Sequence, residues 1–235
     1  MANADAFDPN AKHEEAHGRR SFAPLLAAAA TAVVLMGVVL AMSGGDDGYL
    51  QPPIVASAIE RSATDVMSEL SELAANGKGT GIGPNGDLVR VARWSVLSEG
   101  IDATDSGGLA WTESTPARSE LPDDPTMIGP YLDGVTGIAH PSAADYVAAT
   151  RELLTQNVLT AAQESALLGF LAQEEGLEVL GTATDRAGRE AAMFRADGDT
   201  DTSYLLLVST TTGAILGVET VRGGTAVTEF TLWER

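Results

Sequence analysis

The densest chemistry in this sequence lies in ten residues, HEEAHGRRSF, from His13 to Phe22. His13, Glu14 and His17 spell HExxH, in which two histidines one helical turn apart bind zinc and the glutamate between them activates the bound water. That chemistry also needs a third ligand and a folded cleft. Here the motif sits in a tail of about 20 residues ahead of a long apolar run, and the one other histidine, His140, lies far beyond that run. His13, Glu14 and His17 are therefore expected to belong to a solvated tail and not to a metal site. The same stretch carries a second pattern, because Arg19-Arg20-Ser21-Phe22 matches the core of a twin-arginine export signal.

Further along, Asp197-Gly198-Asp199-Thr200-Asp201 alternates carboxylates like the first half of a calcium loop. Such a loop wants glycine at its sixth position and a bidentate glutamate at its twelfth, where this chain has Thr202 and Val208. Asp197, Asp199 and Asp201 are read instead as a soluble hairpin loop. His140 precedes Pro141 at a loop-to-helix boundary, and no GxSxG elbow offers a nucleophile. Arg186 and Arg189 flank a DRAGR turn in which Gly188 supplies a positive φ. Their ordinary role is to pair with nearby acids, the alternative being a recognition loop. Gly81, Gly83 and Gly86 satisfy GxGxxG, but with a helical pattern before and a strand pattern after. A dinucleotide site needs the reverse order, with the pyrophosphate on the following helix N-terminus, so this stretch reads as a connector. The chain has no cysteine, which removes disulfides, thiolate metal sites and cysteine nucleophiles. The expectation is a protein that is not an enzyme, with no catalytic, cofactor or metal site and with ligand-binding residues that sequence alone does not assign.

The elements that position these residues begin with APLLAAAATAVVLMGVVLAM, from Ala23 to Met42, which contains no charge. At about 1.5 Å per residue a helix of this length spans roughly 30 Å, the hydrocarbon thickness of a bilayer. Arg19 and Arg20 precede it and Asp46 and Asp47 follow, which places the N-terminus in the cytoplasm and the rest outside. The expected organisation is a cytoplasmic tail at 1–20, a membrane-spanning helix at 21–43, a linker at 44–53 and one exported α+β domain at 54–235. The alternative is a twin-arginine signal cleaved at Ala41-Met42-Ser43, although the apolar run is longer than a signal core. Over the whole chain 14 Lys+Arg stand against 33 Asp+Glu, a net charge of -19. Such a surface repels phosphate polymers, so nucleic acid is not an expected partner.

In the exported part, Pro52-Pro53 introduces a segment in which Val55, Ile59, Val66, Leu70 and Leu73 fall on one helical stripe, with an Arg61–Asp65 pair beside it and Asn76-Gly77 as its stop. Strands are expected at Leu88–Leu97, with Ala92 and Trp94 on one face, and at Gly108–Glu113. A proline-rich passage, DDPTMIGPYLDG, leads to a helix capped by Ser142 with Asp145 in its first turn and Tyr146, Ala149, Leu153 and Leu154 on its apolar face. Thr160 and Gln163 form a capping box for the next helix, which stops by Gly176. LEVLGTAT, EAAMFRA, TSYLLLVS, GAILGVET and TAVTEFTLW then follow with short turns, the pattern of an antiparallel meander.

At LPDDPTMIGPYLDG, the two capped helices, the turn from Gly181 to Arg189 and the hairpin from Thr212 to Gly217, the chain resembles a family of uncharacterised single-pass envelope proteins of high-GC Gram-positive bacteria. The resemblance covers about 100 residues, from Leu121 to about Val221. It implies a curved, half-barrel α+β domain of the kind seen in lipoprotein carriers and periplasmic sensors of sigma-factor regulation. The functional expectation is a membrane-anchored, non-catalytic domain that binds a lipid-like or peptide-like envelope ligand, or a protein partner, on the concave face of its sheet. A regulatory protein linked to a sigma factor is the alternative, and a hydrolase ranks below it. The short tail and the missing cysteines depart from sigma-binding relatives.

Overall fold

The computed structural model describes residues 51–76, 89–95, 109–199 and 201–234. The HExxH and twin-arginine stretch, the apolar run and the GxGxxG connector lie outside these residues. Among the described residues no helix is long and apolar enough to cross a membrane. The described residues belong to one compact unit, Asp46–Arg235.

That unit is α+β. Its helices are α1 (Ala63–Ala75), α2 (Pro125–Thr136), α3 (Ala143–Gln156) and α4 (Ala161–Leu171). Its strands are β1 (Val89–Ser95), β2 (Trp111–Ser114), β3 (Ala117–Arg118), β4 (Asn157–Val158), β5 (Leu177–Thr184), β6 (Glu190–Asp197), β7 (Thr202–Ser209), β8 (Ile215–Arg222) and β9 (Ala226–Glu234). A 7-stranded sheet runs in the order β2-β1-β9-β8-β7-β6-β5, and every pairing in it is antiparallel. The expected meander is thus present as β5 to β9, and β1 joins its far side by pairing with β9. β3 and β4 form a short parallel pair that the sequence did not suggest.

The helix starts follow from their caps. Ser142 accepts from the Asp145 N–H while the Asp145 carboxylate accepts from the Ser142 N–H, and Thr160 and Gln163 do the same for α4. Gln163 also donates to the carbonyls of Ser119 and Leu121, so this cap ties the loop before α2 to α4. The passage expected to be a proline-rich connection is the helix α2. Pro125 occupies its first turn, where no N–H partner is needed, Asp124 caps it, and Gly137 closes it at φ 64. On α3, Tyr146 packs edge-on against Phe170 with centroids 4.9 Å apart, and its hydroxyl donates to Asp133 at 2.8 Å. Burial first, and then this carboxylate, push the Tyr146 hydroxyl up to about 12.

The expected helix from Pro52 onward is shorter than its apolar spacing suggested. Ser62 accepts from the Asp65 N–H at 3.1 Å and starts α1 only at Ala63. Residues 51–58 are not helical, Val55 is 84% exposed, and Arg61 pairs with Glu69 and not with Asp65. Residues 51–53, expected to end a linker, take part in the fold.

Strand alternation sends the sheet's side chains to two apolar layers. Ala192, Phe194, Leu206, Val208, Ile215, Val218 and Trp233 pack with the helices. Ala191, Met193, Leu205, Leu207, Val221, Phe230 and Leu232 form a second cluster on the opposite face. Ile54 and Ala56 pack against that second cluster, so residues 51–58 act as a strap over it.

Candidate functional site

The strap is held mainly through its backbone. At one end the Val227 N–H donates to the Gln51 carbonyl at 3.0 Å. At the other, Ser57 and Thr182 exchange two bonds of 2.7 and 3.0 Å. Pro52 and Pro53 have fixed φ and no N–H, which favours an extended path between these ends. Ile54 and Ala56 are two residues apart and pack on the same apolar cluster, while the intervening Val55 is exposed. Gly181, at φ 134, lets the backbone of β5 meet the strap, since a Cβ there would lie 1.9 Å from the Ser57 carbonyl oxygen.

Beneath the strap lies a charged cluster built from the DRAGR turn and β8. Glu219 is fully buried and accepts from Arg186 Nε at 2.6 Å and Nη2 at 3.2 Å, and from the Ile54 N–H. Arg186 Nη1 donates to Gln51 Oε1 at 2.7 Å and Nη2 to the Pro52 carbonyl at 2.9 Å, and the guanidinium lies 5.1 Å from the centre of the Phe230 ring. Burial holds the Glu219 carboxyl above its ordinary value, and the nearby Asp185 charge adds to this. The Arg186 hydrogen bonds and charge, with the Ile54 N–H, oppose it. The Asp185 side chain is also buried and accepts from the backbone N–H groups of Ala187 and Arg189 and from Arg189 Nε. Arg189 then reaches the carbonyls of Trp233 at 2.6 Å and Leu216 at 3.2 Å. Two arginines thus balance two buried carboxylates, and the cluster has no net charge with which to attract an anion.

The pairing expected for Arg186 and Arg189 is present, and Gly188 has the expected positive φ of 81. The partners add what the sequence did not show, which is that Arg186 fastens the strap. Two open clefts flank this region. One, of about 320 Å³, is lined by Arg189, Thr211, Thr212, Leu216 and Trp233. The other, of about 380 Å³, is lined by Arg90, Leu109, Trp111, Arg186 and Arg189. In the second, Arg90 is bonded to Glu234 at 2.5 Å and stands 5.3 Å from the Trp111 ring centre.

The remaining candidates are dispersed. His13, Glu14 and His17 lie outside the described residues. Asp197 ends β6, accepts from the Ser203 hydroxyl and pairs with Arg195. Asp201 sits in the same hairpin at φ 65, and its carbonyl accepts from the Gly223 N–H. Among the described residues no three His, Asp or Glu side chains are grouped to hold a metal ion. His140 is exposed on the loop between α2 and α3.

Sequence reading missed Gln51, Ile54, Ala56 and Glu219 as one constellation. A signal was present in AAMF at 191–194 and LLLV at 205–208, which are apolar at every position. An antiparallel strand with one wet face alternates apolar and polar residues, so uninterrupted runs signify cover on both faces. No protein-family model, curated protein or solved structure matches this chain.

Proposed function

We propose that this chain is a membrane-anchored, non-enzymatic interaction protein whose exported domain recognises a protein partner through its sheet. The single observation that carries this reading is the strap. The sheet face opposite the helices is occupied by the chain's own extended segment, with Ile54 and Ala56 against its apolar cluster. The two clefts beside it are open, whereas a buried apolar ligand prefers an enclosed chamber. The half-barrel shape fits this reading. Arg186, on the turn between β5 and β6, reaches Glu219 on β8, which favours a sheet bent toward the strap.

A regulatory role is the second reading, favoured by where the strap lies in the chain. Gln51, its first paired residue, follows directly on the linker expected after the membrane helix, so a pull on the anchor acts on the strap first. The test of the main reading is a native mass spectrum of residues 46–235 purified from a bacterial envelope, together with photo-crosslinking from an unnatural residue at Val55. The bare chain mass and a crosslinked protein are expected. An added mass that leaves on organic extraction would overturn protein recognition in favour of a small ligand.

A further inference from the structure

We propose that residues 51–58 are the resident occupant of a peptide groove, and that an extended segment of a partner protein docks by taking their place. This deepens the protein-recognition reading and rests on it. Most hydrogen bonds that fix the strap go to its main chain, and any peptide carries the same groups. The Val227 N–H holds one carbonyl, Arg186 holds the next, Glu219 takes an N–H, and Thr182 pairs with the far end. Main-chain bonds supply affinity, and side chains at alternate positions supply selectivity, in the manner of strand addition.

The groove therefore states what its ligand must be. It needs an extended segment with an aliphatic residue at the Ile54 position and a small one at the Ala56 position. The Ile54 position must not be proline, because Glu219 takes its N–H. The position between them faces outward, as Val55 does at 84% exposure, and is free to vary. Basic residues flanking the segment would be drawn toward a chain of net charge -19. The resident strap also has fewer backbone pairings than the strands it covers. β5 to β9 pair along their length, whereas the strap makes one isolated bridge at each end.

The probe is a fluorescent synthetic peptide with the sequence of residues 49–61, titrated onto the full-length chain in detergent micelles. Ile54→Ser in the chain weakens the resident strap, and the peptide is expected to bind this variant at least tenfold more tightly than the unaltered chain. A peptide carrying serine at the Ile54 position should lose that binding. Ser57→Cys with Thr182→Cys should abolish it when oxidised and restore it when reduced. Equal or absent binding to both chains, with Ile54→Ser still folded by circular dichroism, overturns the proposal.

Amide exchange on the unaltered chain covers the case in which the variant does not fold. The Ser57, Thr182 and Val227 amides should exchange through openings that leave β7 protected. Exchange only together with β7 means that the strap never leaves, and the proposal fails. A dimer in which labelled and unlabelled chains trade straps assigns the groove to a second copy and overturns it in favour of self-association. A small-molecule adduct in the native mass spectrum sinks the underlying protein-recognition reading, whereas a strap that never opens sinks only the displacement step.

Discussion

Glu219 is an acid placed in an apolar layer, and its protonation is coupled to folding. Burial raises its folded value above that of the unfolded chain, where a glutamate titrates near ~4.3. The folded state therefore holds this proton to higher pH than the unfolded state. The stabilising contribution is complete below the unfolded value and is lost as pH rises through the raised folded one. Glu219→Gln removes this dependence. In urea unfolding followed from pH 4 to pH 7, the unaltered chain should lose stability relative to the variant as pH rises, and parallel profiles would show that Glu219 titrates alike in both states. Gly181 carries a second residue-scale prediction. At φ 134, with the Ser57 oxygen 1.9 Å from any added Cβ, alanine cannot coexist with the bridge. Gly181→Ala should cost at least about 2 kcal/mol by thermal melting, from backbone strain and overpacking, and should expose the Ser57 amide to exchange.

The elements differ in how far local sequence determines them. Ser142, Asp145, Thr160 and Gln163 act within one turn of their own helices, so their caps could be read directly. The turns of the meander are likewise local. Val55 and Ile59 fall at helical spacing with Val66 and Leu70 and so suggest one longer helix, but the Ser62-to-Asp65 cap begins α1 only at Ala63. The strap's path is set by Val227, Thr182 and Glu219, all more than a hundred residues away, and periodicity carries no information about such partners. Two prolines hide α2 in the sequence: Pro125 is in the first turn, where it is tolerated, whereas Pro130 lies inside the helix and removes a backbone donor there. A pair of substitutions separates strap from helix. Ile54→Ser should destabilise the domain by about 1–2 kcal/mol, and Val55→Ser should stay within about 0.5 kcal/mol. A helix carrying Val55 on its apolar stripe predicts the larger loss at Val55, so the order of the two melting temperatures decides between them.

At the scale of the whole molecule, charge and the apolar run work together. On the proposed topology the run from Ala23 to Met42 would span the bilayer and its basic flank would set the tail inside. Residues 44–235 carry 29 Asp+Glu against 11 Lys+Arg, a net charge of -18, so an anionic surface would repel them within a Debye length of about 8 Å. That arrangement would leave the strap, which follows the linker, under whatever tension the anchor transmits. The absence of cysteine makes the topology directly measurable, since any thiol introduced is the only one present. Asn10→Cys and Thr211→Cys, made separately and probed in intact bacterial cells with a membrane-impermeant maleimide, should give labelling at Thr211 alone, with Asn10 reacting only after the membrane is opened. Labelling of both in intact cells would place the tail outside and remove the route by which the strap could signal inward. A chain that lacks the Asn10 thiol altogether after export, found in the soluble fraction, would show cleavage after the apolar run. The domain would then act as a free binding protein, with peptide exchange at the strap, and not tension on it, as its remaining mechanism.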